Sequence, residues 1–372
     1  MPVNRNDFLN KLVYKTISVV PSRFGDARDV ISYSLGVVKY LTPSKVANFL
    51  TREHERLKRV SLPRGFPFHA VVDVSNACNL ECPYYPTGRR QTSGRTERII
   101  DLDLVRTFLD RYGKYLIAAD LFNWGESLLH PKISDIVHLF HERRIFHQIS
   151  SNLNIRNRSV LEKICDAGLD VLIISISGTT QDIYERYHRR GDIFLVVENL
   201  KHLIAYRKSM HRFSPIIEMK YLTFRYNAHQ VPAALRLANE IGVDIFRSHI
   251  AGGPKEEIIQ VDEEKKKLLY HGTGGLCYQL WRTIVLNSDG GIAPCCLLYF
   301  KDDDFAHLSG IEDTSQRYIE ARNMFNRLAA GELGSNLQHP CLKCSFVHRQ
   351  KHLAEYLAAN PNAKSGHRTG GP

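Results

Sequence analysis

From residue 68 onward, short apolar runs alternate with amphipathic stretches of helix length. The runs are 68–74 (FHAVVDV), 117–123 (IAADLFN), 146–151 (FHQISS), 171–177 (VLIISIS), 216–223 (IIEMKYLT) and 244–249 (DIFRSH). Between them, apolar positions recur at helical spacing over 102–114, 133–144, 158–167, 181–206 and 229–241. Strands alternating with helices predict an α/β fold with a parallel sheet and helices packed outside it. Six such units suit a partial (β/α)6 TIM-type barrel, and a doubly wound open sheet fits the same periodicity. In both architectures the chemistry belongs at the C-terminal ends of the strands.

The flanks read differently. Residues 1–65 form a basic, helical preface, in which Ser44 is expected to cap a helix running through Val46, Phe49 and Leu50 into TREHERLKR at 51–59. Leu62-Pro63-Arg64-Gly65-Phe66-Pro67 then stops it. Such a helix suits a cap on the main domain, a partner-binding element or contact with a membrane surface. The βα pattern ends near 250, and a loop-rich, cysteine-bearing segment follows. The expected units are therefore the preface (1–65), the barrel (66–250), a small C-terminal cysteine-rich hairpin and helix module (251–350) and a basic tail (351–372), whose low apolar content predicts fraying.

Composition narrows the function classes. The 43% hydrophobic and 24% charged residues are those of an ordinary globular protein. The net charge of +11 favours anionic partners, but no compact run of Lys and Arg with interleaved aromatics marks a nucleic-acid footprint. The first fifteen residues carry Arg5, Asp7, Lys11 and Lys15 and no apolar core of signal-peptide length, so a cytoplasmic location is expected. In a reducing compartment the eight cysteines are not expected to form structural disulfides. Seven fall in two zones, Cys78/Cys82 and Cys277/Cys295/Cys296/Cys341/Cys344, which points to metal; Cys165, alone on a predicted helix, reads as a core residue.

The first zone, CNLECPYYPTG, directly follows the first strand. A loop with thiolates at short spacing can wrap an iron–sulfur centre. These residues resemble the signature of the radical S-adenosylmethionine (radical SAM) superfamily, Cys-x3-Cys-x-aromatic-Cys. The resemblance implies a 4Fe–4S cluster held by three thiolates, with its open iron chelating S-adenosylmethionine for cleavage to a 5′-deoxyadenosyl radical. It assigns Cys78 and Cys82 to the cluster and Tyr84 to the aromatic position. The third cysteine position holds Tyr85. The open alternatives there are a labile cluster ligated by tyrosine or water, a ligand recruited from elsewhere, and a site without its cluster.

Three further strand ends carry the resemblance. Gly125-Glu126-Ser127 resembles the Gly-Glu-Pro motif, in which the glycine lets the backbone approach the ligand and the glutamate receives the methionine ammonium. Ser150-Ser151-Asn152 resembles a stretch contacting ribose or carboxylate, which assigns Ser151 and Asn152; an Asx turn explains the same residues. Ser175 and Arg189, the arginine to within one position, match a serine and arginine placed for the methionine carboxylate.

In the second zone, CYQLWRTIVLNSDGGIAPCC…HPCLKC sets two thiols on a hairpin, turning at Ser288-Asp289-Gly290-Gly291, against a Cys-x2-Cys knuckle. Four thiolates with one such pair also describe a zinc ribbon. The arrangement resembles the shortened SPASM, or twitch, module, which implies an auxiliary 4Fe–4S cluster on Cys277, Cys295, Cys341 and Cys344, with Cys296 the alternative to Cys295. The expected function is hydrogen abstraction, as dehydrogenation or epimerisation, by a radical SAM oxidoreductase acting on a sugar-like, polyol or peptide substrate, anionic in keeping with the net charge, with an electron donor such as flavodoxin or ferredoxin. The alternatives are an impaired homologue acting as a binding or scaffold protein, and a zinc-bearing binding protein.

Overall fold

The computed structural model describes residues 38–259, 277–310, 315–329, 339–344 and 359. The expectations for residues 1–37 and for the tail, 359 apart, lie outside these. The described chain forms one nine-stranded sheet. Its six βα strands lie in sequence order: β1 (His69–Val72), β2 (Ala118–Asp120), β3 (Phe146–Ser151), β4 (Val171–Ile176), β5 (Ile216–Thr223) and β6 (Ile245–Ile250), all parallel. On the free side of β1, β7 (Thr283–Leu286) adds in parallel, followed by antiparallel β8 (Gly291–Ala293) and β9 (Ala306–His307). The sheet is open, as a partial barrel requires, and the cysteine-rich hairpin is covalently and by hydrogen bonding an extension of the same sheet rather than a detached unit.

Helices α2 (Leu102–Tyr112), α3 (Ile133–Glu142), α4 (Ser159–Asp166), α5 (Gln181–Tyr187), α6 (Ile193–Ser209) and α7 (Val231–Ile241) follow their strands. The strands bury Val72, Ile149, Leu172, Ile174, Ile176, Met219 and Tyr221 against this layer in one continuous core. Apolar strands buried by crossover helices are the expected outcome of the periodicity. The 181–206 segment, one predicted helix, is two. His188 ends α5 and turns inward, and Asp192 caps α6 by accepting from the Phe194 and Leu195 amides at 2.8 and 3.2 Å. Cys165 is buried in α4, as expected, and none of the eight cysteines forms a disulfide.

The preface helix, α1 (Pro43–Leu57), starts two residues earlier than expected: its cap is Thr42, whose hydroxyl accepts from the Lys45 amide at 3.3 Å, and Ser44 lies inside the first turn, exposed. It docks through its polar face. Lys45, Asn48, Arg52 and Glu55 are buried, while Val46, Leu50 and Leu57 face out. The buried groups serve backbone polar atoms. Asn48 brackets Phe66, Glu55 accepts from the Arg64 and Gly65 amides at 2.7 and 3.0 Å, and Arg52 donates to the Gly65 carbonyl at 2.6 Å and to that of Trp281. The helix thereby ties the lead into β1 to short α8 (Gln279–Arg282), which feeds β7. Among the described residues no helix is long and apolar enough to cross a membrane.

Candidate functional site

The loops leaving β1, β2 and β3 meet at the C-terminal edge of the sheet. Gly125 lies on the first cysteine loop so closely that a Cβ there would come 2.1 Å from the Ser75 carbonyl oxygen and 2.5 Å from that of Ala77. Its lack of a side chain serves this approach between loops. The Glu126 amide then donates to the Ala77 carbonyl at 2.7 Å. The Glu126 carboxylate is 2% exposed and accepts from two backbone amides, Leu128 at 3.0 Å and Asn152 at 2.8 Å. Among the described residues no basic side chain pairs with it, and burial raises its pKa. A buried carboxylate without a counter-cation is a ready receptor for an ammonium group. Ser127, at the proline position, donates to the Leu121 carbonyl at 2.8 Å, so the departure is accommodated in the turn.

Ser151 and Asn152 form the turn expected of their stretch. The Ser151 hydroxyl accepts from the Leu153 amide and the Asn152 carboxamide from the Asn154 amide, each at 2.8 Å, which makes the turn. The Asn152 amide also donates to Asn79 at 3.0 Å and reaches the Cys78 sulfur at 3.8 Å, joining the turn to the cysteine loop. Ser175 is half-buried near the end of β4, level with Lys220 of β5. Arg189 is exposed; its carbonyl accepts from the Glu81 amide at 3.1 Å, while neighbouring Arg190 pairs with the Glu81 carboxylate at 3.0 Å. Tyr84 is drawn away into an aromatic group with Tyr187 and Phe224 and donates to Glu257.

The first cysteine zone does not fit a three-thiolate cluster. Burial pushes the thiols of Cys78 and Cys82 up to about 11 and about 12, the second helped by the first. Tyr85 does not complete the set. Its hydroxyl donates to the Asn123 carbonyl, its ring packs against Trp124 with centroids 5.6 Å apart, and burial holds the phenol well above its ordinary pKa. A phenol so placed is neutral and engaged, whereas an iron ligand must be ionised and free.

In the second zone burial raises the Cys277 thiol to about 11 and holds those of Cys295 and Cys341 well above the ordinary value. Cys277, Cys296 and Cys344 act electrostatically on Cys295, and Cys295, Cys277 and Cys344 on Cys341. Cys296 feels the Asp120 carboxylate first and then Cys344. Thiols coupled in this way are a donor set that cluster binding would ionise, although among the described residues no group of three or more His, Cys, Asp or Glu side chains could hold a metal ion.

The two zones are bolted together by a residue that sequence reasoning missed. Arg95, on the loop after the first cysteines, has a fully buried side chain that donates to Asp289 at 2.7 Å and to both oxygens of Asp304 at 2.7 Å. The strand faces turned from the helices hold the other missed residues. Gln148 donates to Asp120 at 2.6 Å beside His69, and Glu218, Lys220 and Arg247 face them from β5 and β6. The signal was present at 216–223, where Glu218 and Lys220 interrupt an apolar run at a two-residue period.

Residues 72–226 match the family model described as the radical SAM superfamily. The tungsten-containing aldehyde ferredoxin oxidoreductase cofactor-modifying protein of Pyrococcus furiosus is 24% identical over 180 residues, 47% of this chain and 49% of that protein. A probable GTP 3',8-cyclase of Methanocaldococcus jannaschii is 22% identical over 172 residues, 46% of this chain and 55% of that protein. The chain thus spans about half the length of the curated relatives it matches. Streptococcus suis SuiB bound to S-adenosylmethionine superposes with a TM-score of 0.50 at 12% identity, over 92% of this chain and 81% of that one. Native anSMEcpe with bound AdoMet does so at 0.50 and 13%, over 81% and 99%. At these identities the structural likeness is one of fold, and the similarity to the radical SAM superfamily model is confined to residues 72–226.

Proposed function

We propose that the protein binds S-adenosylmethionine at the C-terminal edge of β1 to β4, with Glu126 receiving the methionine ammonium and Ser151, Asn152, Ser175 and the Arg189–Arg190 turn lining the rest of the ligand. The observation that carries this reading is the buried carboxylate of Glu126, held between two backbone amides with no cationic partner among the described residues. The cradle suits the family's chemistry, hydrogen abstraction from a sugar-like, polyol or peptide substrate, on condition that a cluster ligand other than Tyr85 completes the set at Cys78 and Cys82. Cys277, Cys295, Cys341 and Cys344 would hold an auxiliary iron–sulfur cluster, which supplies an electron acceptor or a substrate anchor when bound, with Cys296 the alternative to Cys295; the electrostatic coupling among these thiols supports the zone as the donor set.

A second reading has its own observation, the diverted phenol of Tyr85. On it, the chain keeps the cradle and the auxiliary centre and serves as a binding or scaffold protein. Equilibrium dialysis with S-adenosylmethionine, beside a test for 5′-deoxyadenosine under reducing conditions, separates the two. Binding with cleavage supports the enzyme, and binding without it the scaffold. Failure to bind after anaerobic reconstitution defeats both.

A further inference from the structure

Ser175 apart, the polar row on the inner face of β4 to β6 is used by none of the strand-end motifs. Strand pairing sets Ser175, Lys220 and Arg247 level with one another, and Ile173, Glu218 and Ile245 one row deeper. Residues two apart on a strand share a face, so Ser175, Glu218, Lys220 and Arg247 all point away from the helices. At the foot of this face Ala118, Phe146, Val171, Ile173 and Ile216 close an apolar floor beneath Tyr40. Above that floor, Arg247 Nε stands 3.6 Å from Glu218 Oε2. Lys220 is half-buried and, among the described residues, makes no hydrogen bond or ion pair. The charged and titratable groups acting nearby are Glu218 and His249.

An ammonium held partly out of water with its three donors unmet is costly, and an incoming anion removes that cost. The row lies within one residue of the end of β4, hence directly below the edge where Asn152 and Glu126 stand. We propose that Lys220, with the Glu218–Arg247 pair beside it, binds the anionic group, phosphate or carboxylate, of a small hydroxylated substrate on the inner face of the sheet. Lys220 neutralises the anion, and the Glu218 carboxyl meets a substrate hydroxyl. The assignment of this molecule as substrate rests on the S-adenosylmethionine cradle above it; the anion site itself does not.

The test is calorimetric titration of the full chain with glucose 1-phosphate, gluconate and glucose, paired with dialysis against S-adenosylmethionine, for the wild type, Lys220→Met and Lys220→Arg. The wild type is expected to bind one of the two anions at least about tenfold more tightly than glucose, the preferred one identifying phosphate or carboxylate. Lys220→Met should erase that preference while keeping the melting temperature and S-adenosylmethionine affinity, and Lys220→Arg should retain most of it. A wild type indifferent to charge overturns the proposal. So does a Lys220→Met protein that loses S-adenosylmethionine instead, which would assign the lysine to that ligand. Anion preference without any S-adenosylmethionine binding leaves this site standing and removes the cradle.

Discussion

Replacing Tyr85 by cysteine perturbs the first cysteine zone at its point of departure. The fold sets the cost. The variant loses a half-buried ring packed 5.6 Å from Trp124, and the Asn123 carbonyl loses its donor, so the costs of full burial are upper bounds here. Truncating a buried aromatic costs about 3–5 kcal/mol, and an unmet buried carbonyl about 1–3 kcal/mol. The two overlap, since each is measured as a truncation, so about 3–5 kcal/mol is the upper bound on the loss in the metal-free protein. At about 2.1 cal/mol/K of unfolding entropy per residue, a cooperative unit of 372 residues would melt at most about 4–6 °C lower. Against this stands a third thiol at the spacing that completes the loop, and a cluster bound only by the folded chain adds its binding energy to stability.

Anaerobic reconstitution with iron and sulfide quantification therefore reads both terms. The wild type should hold about four irons per chain, on the second zone, and Tyr85→Cys about eight. Reconstitution should return the lost melting temperature only in the variant. Tyr85→Phe, which keeps the ring and drops the hydroxyl, should lose stability modestly and gain no iron. Two results would refute the reasoning: a Tyr85→Cys protein with no more iron than wild type, or a wild type that already holds about eight irons.

Arg95→Met should destabilise the protein by about 3–5 kcal/mol, because it strands Asp289 and Asp304 in a buried site; denaturant unfolding that moved by less than 1 kcal/mol would deny the bolt its role. Glu126→Gln should weaken S-adenosylmethionine about tenfold or more by removing the charge that meets the ammonium, with dialysis as the readout and unchanged affinity as the contrary result. Burial raises the Glu218 carboxyl from 4.5 to about 7 despite Arg247 at 3.6 Å. The folded chain then binds more protons than the unfolded one between those values, so this group removes stability as pH rises through that window. Glu218→Gln should match wild type at pH 4.5 and out-melt it above pH 7, and equal melting curves at both ends would sink the claim.

What the chain reveals of itself depends on the range of the force involved. The six βα strands were legible because VLIISIS and IIEMKYLT must be buried on at least one face wherever they fold. The strand-end motifs followed, since a parallel sheet aligns its loops on one edge. The hairpin was legible as a hairpin, but nothing local says that β7 pairs with β1, more than two hundred residues earlier. That choice is fixed by Arg95 reaching Asp289 and Asp304 and by α1 tying Gly65 to Trp281. Lys45, Arg52 and Glu55 look like a solvated helix face because their partners are backbone atoms, which carry no signature in a sequence. Tyr85 belongs to the same class. Its identity was visible as a missing thiol, but whether a phenol turns toward two sulfurs or toward a carbonyl is decided by Trp124 and Asn123, forty residues on. The consequence is functional: a side chain already satisfied by the fold is held out of the chemistry, and the groups left without a counter-ion among the described residues, Glu126 at the edge and Lys220 beneath it, mark where a ligand has still to come.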